Sequence, residues 1–374
     1  MQLIDVETKA GAVMTNSAVS WWQVFVDAIE RMPREQQAEW FAALTVELKS
    51  RNEKDAAAAQ ALRAWHLAHE AGTLIESEVI GQALAAVTPR YHAQISTDPR
   101  RIATWQAALA AVVKPGMLAL EVGTGSGIIT MLAARCGATV MSCEMDRLMA
   151  AIAQTIVQQN GLAEYIRIVG KPVESLTIPQ DLPRPADLLM LDVFSDSLFA
   201  FKPFQIVRKS RPLLRPNAIC MPARVSLEAA LVDYARWPFV IPGTVAGLDL
   251  SLLGYAASRS VQIVPGDSDI TLRSVPITMI DATLPDALPL EIGAVERTLV
   301  SDGGAVNGVA VWLRLELAPG HVLEAHPRTA PPDFYAKPRF DAFRHVLNTK
   351  PGQTVNVRLT WKGGKLAATE FLSA

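Results

Sequence analysis

The chain has 374 residues, of which 50% are hydrophobic and 19% charged, with a net charge of −2. That balance excludes a disordered chain and leaves room for two or three cores. It removes any electrostatic argument for nucleic acid or a membrane surface as partner. The three cysteines, Cys136, Cys143 and Cys220, are too few and too scattered for a disulfide framework or a zinc site, so no metal is expected. They read as small buried hydrophobes.

No charged n-region followed by an apolar h-region opens the chain, and no run of about 18 apolar residues occurs, so the expected location is cytoplasmic. Residues 17–72 are alanine-rich with apolar positions at helical spacing, as in Trp22-Phe25-Val26-Ile29 and Trp40-Leu44-Leu48. Two or three packed helices are expected there. Trp21, Trp22, Trp40 and Trp65 read as packing aromatics; exposed, they would mark a partner groove. A helical N-terminal domain is therefore placed at 1–87.

From 88 to 222, strands and helices alternate. Strands are predicted at 117–120, 139–142, 166–169, 188–191 and 218–221, with helices at about 100–112, 127–136, 146–160 and 203–213. Such alternation predicts a parallel sheet covered by helices. After Pro222 the pattern turns to short alternating strands separated by Gly, Pro and Asp, which predicts an antiparallel sandwich or barrel over 223–374.

The chemistry concentrates at the ends of the predicted parallel strands, where ligands of open α/β sheets bind. The first strand runs into Glu121-Val-Gly-Thr-Gly-Ser-Gly127, a turn whose glycines let the backbone approach a ligand and whose following helix aims free N–H groups at it. Gly123, Gly125 and Gly127 form GxGxG. Ile128 stands where the dinucleotide fingerprint wants a small residue. Glu121 would repel a pyrophosphate but not the ammonium and sulfonium of S-adenosylmethionine, so that cofactor is expected. Glu144, at the tip of the second strand, is placed to accept hydrogen bonds from a ribose diol. Asp192 leaves the fourth strand, where it either orients a nucleophile or caps its loop. Val173 and Glu174 follow the third strand and are candidates for the adenine edge, with a plain surface turn as the alternative. Asp98-Pro99 reads as an N-cap and first turn. That does not explain Arg101, a cation in a helix's first turn, where the dipole disfavours it unless an anion such as the cofactor carboxylate is near.

Arg90-Tyr91-His92, Asp98 to Leu109, Glu121 to Gly127, Cys143-Glu144-Met-Asp, Gly170 to Glu174, Leu214 to Arg224, Ala246 to Ser251 and Asn307 to Trp312 together resemble the protein arginine methyltransferases. The resemblance covers about 89–374. Around Leu191-Asp192-Val-Phe194 it is most similar to the subgroup that makes monomethylarginine. It implies a seven-stranded class I methyltransferase (Rossmann-like) sheet followed by a β-barrel, and a head-to-tail homodimer. It also implies Arg101 on the cofactor carboxylate, Glu144 on the ribose, Val173 and Glu174 on adenine, and Asp192 at the first Glu of the family's double-glutamate loop. Two departures stand out. The second glutamate falls near Phe201, and the Thr-His-Trp loop is replaced by Pro338-Arg339-Phe340.

Those departures matter chemically. A guanidinium with a pKa above about 12 needs carboxylates that clamp its fork of donors and leave a lone pair on the attacking nitrogen. Asp192 is shorter than Glu, and Asp196, on the same loop, is either a substitute clamp or a solvated loop acid. The expected activity is methyl transfer to a guanidinium or other nitrogen of a protein or peptide. The alternatives are a small-molecule N- or O-methyltransferase with a converted pocket, and a non-catalytic cofactor-binding scaffold.

Overall fold

A computed structural model of the chain describes residues 20–374 apart from 75, 196–197, 236–243, 251, 254–258, 287, 290–291, 363–364 and 373–374. The described residues divide into two units, one drawn from Met1–Ala93 with Asp146–Ile152, the other from Gln94–Met145 with Ala153–Ala374. No helix among the described residues is long and apolar enough to cross a membrane.

In the first unit, α1 (Trp21–Glu30), α2 (Arg34–Ser50), α3 (Lys54–Ala71) and α4 (Glu78–Val87) succeed one another. Three of them fill the alanine-rich segment, and a fourth lies beyond it. The Ser77 side chain accepts from the Ile80 N–H and starts α4. Val26, Ile29, Phe41, Leu44, Leu48 and Ile80 share a core with buried alanines, whose small side chains let the helices approach. Trp21, Trp22 and Trp40 pack partly buried against it, and Trp65 joins Ala61, Leu148 and Ala151 in a second cluster. Each large apolar side chain buried this way contributes roughly 1.5–3 kcal/mol. The tryptophans are packing residues of this bundle.

Downstream come α5 (Tyr91–Thr97), α6 (Pro99–Val112), β1 (Leu118–Val122), α7 (Ile128–Arg135), β2 (Thr139–Cys143), α8 (Arg147–Gln159), β3 (Ile166–Val169), β4 (Ala186–Leu191), α9 (Pro203–Ser210) and β5 (Leu214–Met221). The strands form one sheet in the order β3-β2-β1-β4-β5, every neighbouring pair parallel. Every residue of β1 and β4 is buried, as continuous apolar runs in a sheet covered on both faces require. The strand order reverses between β1 and β4, which opens the crevice for a ligand.

Five strands form this sheet rather than the seven of a complete class I sheet. The reason lies in the next strand: β6 (Arg224–Tyr234) does not turn back into the parallel sheet but pairs antiparallel with strands further along the chain. It belongs to a seven-stranded sheet with β9 (Ser260–Gln262), β10 (Ile270–Leu272), β11 (Ile277–Thr283), β13 (Gly304–Ala318), β14 (His321–Glu324) and β15 (Arg339–Thr349). A hairpin of β7 (Thr244–Val245) and β8 (Leu248–Asp249) stands apart. β12 (Ile292–Val300), β16 (Thr354–Lys362) and β17 (Lys365–Leu372) form a three-stranded sheet. β12 lies beside β11 and β17 beside β15, so the two sheets close into a barrel. Its long central strand β13 is buried over most of its length, because α6 packs on β13 and β14 from outside. That packing brings the start of α6 to the loop before β15.

Candidate active site

β1 hands directly to the glycine turn, and Gly123, Gly125 and Gly127 all have positive φ, at 87°, 53° and 79°. L side chains rarely adopt such values. At Gly123 a Cβ would also stand 2.7 Å from Cγ1 of Val193, so the turn after β4 closes on the turn after β1. The Gly123 N–H donates to the Cys143 carbonyl at 2.9 Å, and the Gly125 N–H donates to Oε2 of Glu144 at 3.0 Å. Gly127 begins α7, whose first N–H groups have no partner within the helix.

Glu144 leaves β2 buried, and its own N–H donates to the Val169 carbonyl at 3.0 Å. It is thus tied to both β3 and the glycine turn. Glu121, at the end of β1, points into a hydroxyl cluster. Its Oε2 accepts from Ser142 Oγ at 2.7 Å and from Thr130 Oγ1, and Ser142 Oγ is 2.6 Å from Thr124 Oγ1. Burial is the main reason that its pKa rises to about 8, against the lowering effect of the Ser142 hydrogen bond.

Asp98 caps α6, its Oδ1 accepting from the Arg101 N–H at 2.9 Å. Arg101 and Asp192 then meet across 91 residues of sequence. Nε and Nη2 of Arg101 both donate to Oδ2 of Asp192, and Nη1 donates to the Ile95 carbonyl at 2.7 Å. Their side chains are 4% and 6% exposed. The anion that excuses a cation in this first turn is therefore Asp192. From sequence the two residues have separate ligands; in the structure each is the other's partner. A guanidinium carries five N–H donors. Three are engaged here, which leaves one N–H each on Nη1 and Nη2 without a partner among the described residues. Oδ1 of Asp192 is buried with no hydrogen-bond partner among the described residues.

Val173 is buried at the start of a short 3-10 turn after β3. Glu174 is exposed and pairs with Lys209 at 2.7 Å, which holds its carboxyl below the usual range. Asp196 lies outside the described residues. Phe201 is exposed, whereas Phe199 is buried and stacks on Trp361 with ring centroids 5.3 Å apart.

Arg339 and Phe340 begin β15, with Phe340 fully buried and Arg339 paired with Asp341 at 2.5 Å. The segment that reaches α6 comes slightly earlier. The Tyr335 N–H donates to Oδ2 of Asp98 at 3.2 Å, and the Arg101 guanidinium lies 6.0 Å from the Tyr335 ring centre. Sequence reasoning misses Tyr335. It stands 237 residues from Asp98, and no motif marks it.

No protein-family model matches the chain. It is 29% identical over 297 residues to an "Arginine N(omega)-methyltransferase" from Streptomyces achromogenes subsp. streptozoticus, covering 77% of this chain and 80% of that one. It is 28% identical over 253 residues to a "Protein arginine N-methyltransferase 7" from Drosophila grimshawi, covering 62% of this chain but only 36% of the relative. Among solved structures it is similar to the Trypanosoma brucei PRMT1 enzyme-prozyme heterotetrameric complex with AdoHcy, with a TM-score of 0.65 at 19% identity over 76% of this chain and 94% of that one. A PRMT6-SAH structure matches at a TM-score of 0.59 and 17% identity, over 77% of this chain and 100% of that one. In sequence the chain is thus similar to arginine methyltransferases, and it shares with the solved structures the fold of a Rossmann-like parallel sheet followed by an antiparallel β-barrel.

Proposed function

We propose that the chain transfers a methyl group from S-adenosylmethionine to a guanidinium nitrogen of arginine. The observation that carries this reading is the pair Arg101–Asp192. It presents two uncommitted cationic N–H groups beside one uncommitted carboxylate oxygen, at the crevice where β1 and β4 diverge. The residues fit the cofactor. Arg101 would hold its carboxylate, the Gly123–Gly127 turn would follow its backbone, Glu144 its ribose, and Val173 with Glu174 its adenine. When bound, it supplies a methyl group already activated by the positive sulfur.

Asp192 does the work on the acceptor side. Its Oδ1 would accept an N–H of the guanidinium, fix the plane of the group and favour the cationic form of the product. Positioning of this kind accounts for most of the rate in an in-line displacement. The acceptor nitrogen would exchange one N–H proton for the methyl group, and Oδ1 of Asp192 is the base placed to take that proton. Because Arg101 holds Asp192 through Oδ2, the carboxylate cannot swing away from the crevice.

The acceptor arginine belongs to a protein or peptide. Free arginine or another small molecule is the second reading. It is favoured by exposed Phe201 where a second carboxylate would clamp a peptide arginine, and by the Streptomyces relative, whose name specifies arginine. The division into 1–87, 88–222 and 223–374, a cytoplasmic location and a homodimer complete the proposal. Exposed Val245, Leu248, Leu252 and Leu253, at and just after the β7–β8 hairpin, support a self-association surface. The test is transfer of labelled methyl from S-adenosylmethionine to arginine-containing peptides and to free arginine, side by side. Label in peptide supports the first reading, and label in free arginine alone supports the second. Cofactor binding with no transfer to either would leave a scaffold and refute the activity.

A further inference from the structure

The Tyr335 hydroxyl has no role in holding the fold. Its ring is partly buried, but its oxygen is fully buried and has no hydrogen-bond partner among the described residues. A phenol left in that state loses on the order of one hydrogen bond to water with nothing in exchange. The neighbouring Oδ1 of Asp192 is in the same condition. Two buried, unpartnered oxygens flanking one arginine mark a place built for a third group. Tyr335 is held there from both ends: its N–H is bonded to Asp98, and the preceding Phe334 is buried beneath the Arg100 guanidinium, 5.7 Å from its ring centre. Burial and the Asp192 charge both push its pKa well above 10, so the hydroxyl stays neutral at neutral pH. It can accept an N–H without adding a second negative charge.

We infer that Tyr335 is an acceptor-binding residue, its hydroxyl oxygen taking a second N–H of the substrate guanidinium alongside Oδ1 of Asp192. The barrel loop thus supplies the second half of the clamp. The inference rests on the arginine-methylation reading. A neutral second acceptor leaves the guanidinium less tightly held than two carboxylates would, and it suits transfer of a single methyl group followed by release.

The experiment is Tyr335→Phe, which keeps the ring and removes the oxygen. Initial rates are measured against the arginine acceptor that the wild type uses, and binding of S-adenosylhomocysteine is measured by calorimetry. The expected result is a fall in acceptor kcat/KM of about 10- to 100-fold, the loss due to one hydrogen bond to a charged group. Binding of S-adenosylhomocysteine should stay within about twofold. Unchanged kcat/KM overturns the inference, as does a loss confined to S-adenosylhomocysteine binding, which would turn the hydroxyl toward the cofactor. Tyr335→Leu, which also removes the ring, should lose at least as much; a Leu variant as active as wild type overturns the inference independently. A wild type that methylates no guanidine refutes the underlying activity, an outcome visible before any variant is made.

Discussion

Asp192→Ala breaks the buried ion pair that joins α6 to the exit of β4. With the side chains 4% and 6% exposed, removing the carboxylate leaves Arg101 charged, desolvated and bonded only to the Ile95 carbonyl. Loss of one member of a buried pair costs about 3–5 kcal/mol. For a folding unit of this size each kcal/mol moves the midpoint by about 2 °C, so a drop of roughly 6–10 °C is expected by scanning fluorimetry. The cofactor carboxylate offers the orphaned guanidinium a new anion. S-Adenosylhomocysteine should therefore raise the midpoint of the variant by more degrees than it raises the wild type, while methyl transfer stays lost. A variant melting within about 2 °C of wild type would refute the reasoning that Arg101 depends on Asp192. A variant that gains less than wild type from S-adenosylhomocysteine would refute Arg101 as the carboxylate's holder.

Three further outcomes are expected. Folding raises the Glu121 pKa from its ordinary 4.5 to about 8, so the folded state keeps a proton that the unfolded chain gives up between those values. Stability therefore falls as pH rises through that window, by on the order of 5 kcal/mol when complete, and Glu121→Gln should flatten the decline in denaturant titrations at pH 5, 7 and 9; a variant with the wild-type slope would place the titration elsewhere. Glu144→Ala removes the acceptor for the Gly125 N–H and the expected ribose contact, and should weaken S-adenosylhomocysteine binding at least tenfold by calorimetry; binding within twofold would remove Glu144 from the pocket. Gly123→Ala drives a methyl into Val193 at a φ of 87°, and a loss of about 1–3 kcal/mol is expected in chemical denaturation. Gly123→Ala/Val193→Ala should recover part of it, and a double variant no better than the single would show that backbone strain, not the contact, sets the cost.

The features legible in the sequence are local. Strand positions come from buried apolar runs, the turn from three glycines in five residues, and the cap at Asp98 from its place before Pro99. Each signal spans a few residues, and each appears in the fold. Pairing across distance is not legible in this way. Arg101 looks like a cation waiting for a ligand because its anion lies 91 residues away on another strand. The pairing of Glu174 with Lys209, on α9, is equally invisible to a local pattern. The strand pattern itself shows five parallel strands and a change to antiparallel alternation after Pro222, as in the fold; the count of seven comes from the resemblance alone. Tyr335 gives no signal at all, since the aromatic pair Phe334-Tyr335 in a Pro-rich stretch resembles any loop anchor.

The most direct test of guanidinium methylation is the identity of the methylated product. The protein is incubated with labelled S-adenosylmethionine and an arginine donor, the product is hydrolysed to amino acids, and methylarginines are resolved from other methylated species. Label is expected in ω-N-monomethylarginine and should be abolished by Asp192→Ala. Label in any product other than a methylated guanidine would contradict the activity, and methylarginine formed equally well without Asp192 would contradict the role of the Arg101–Asp192 pair.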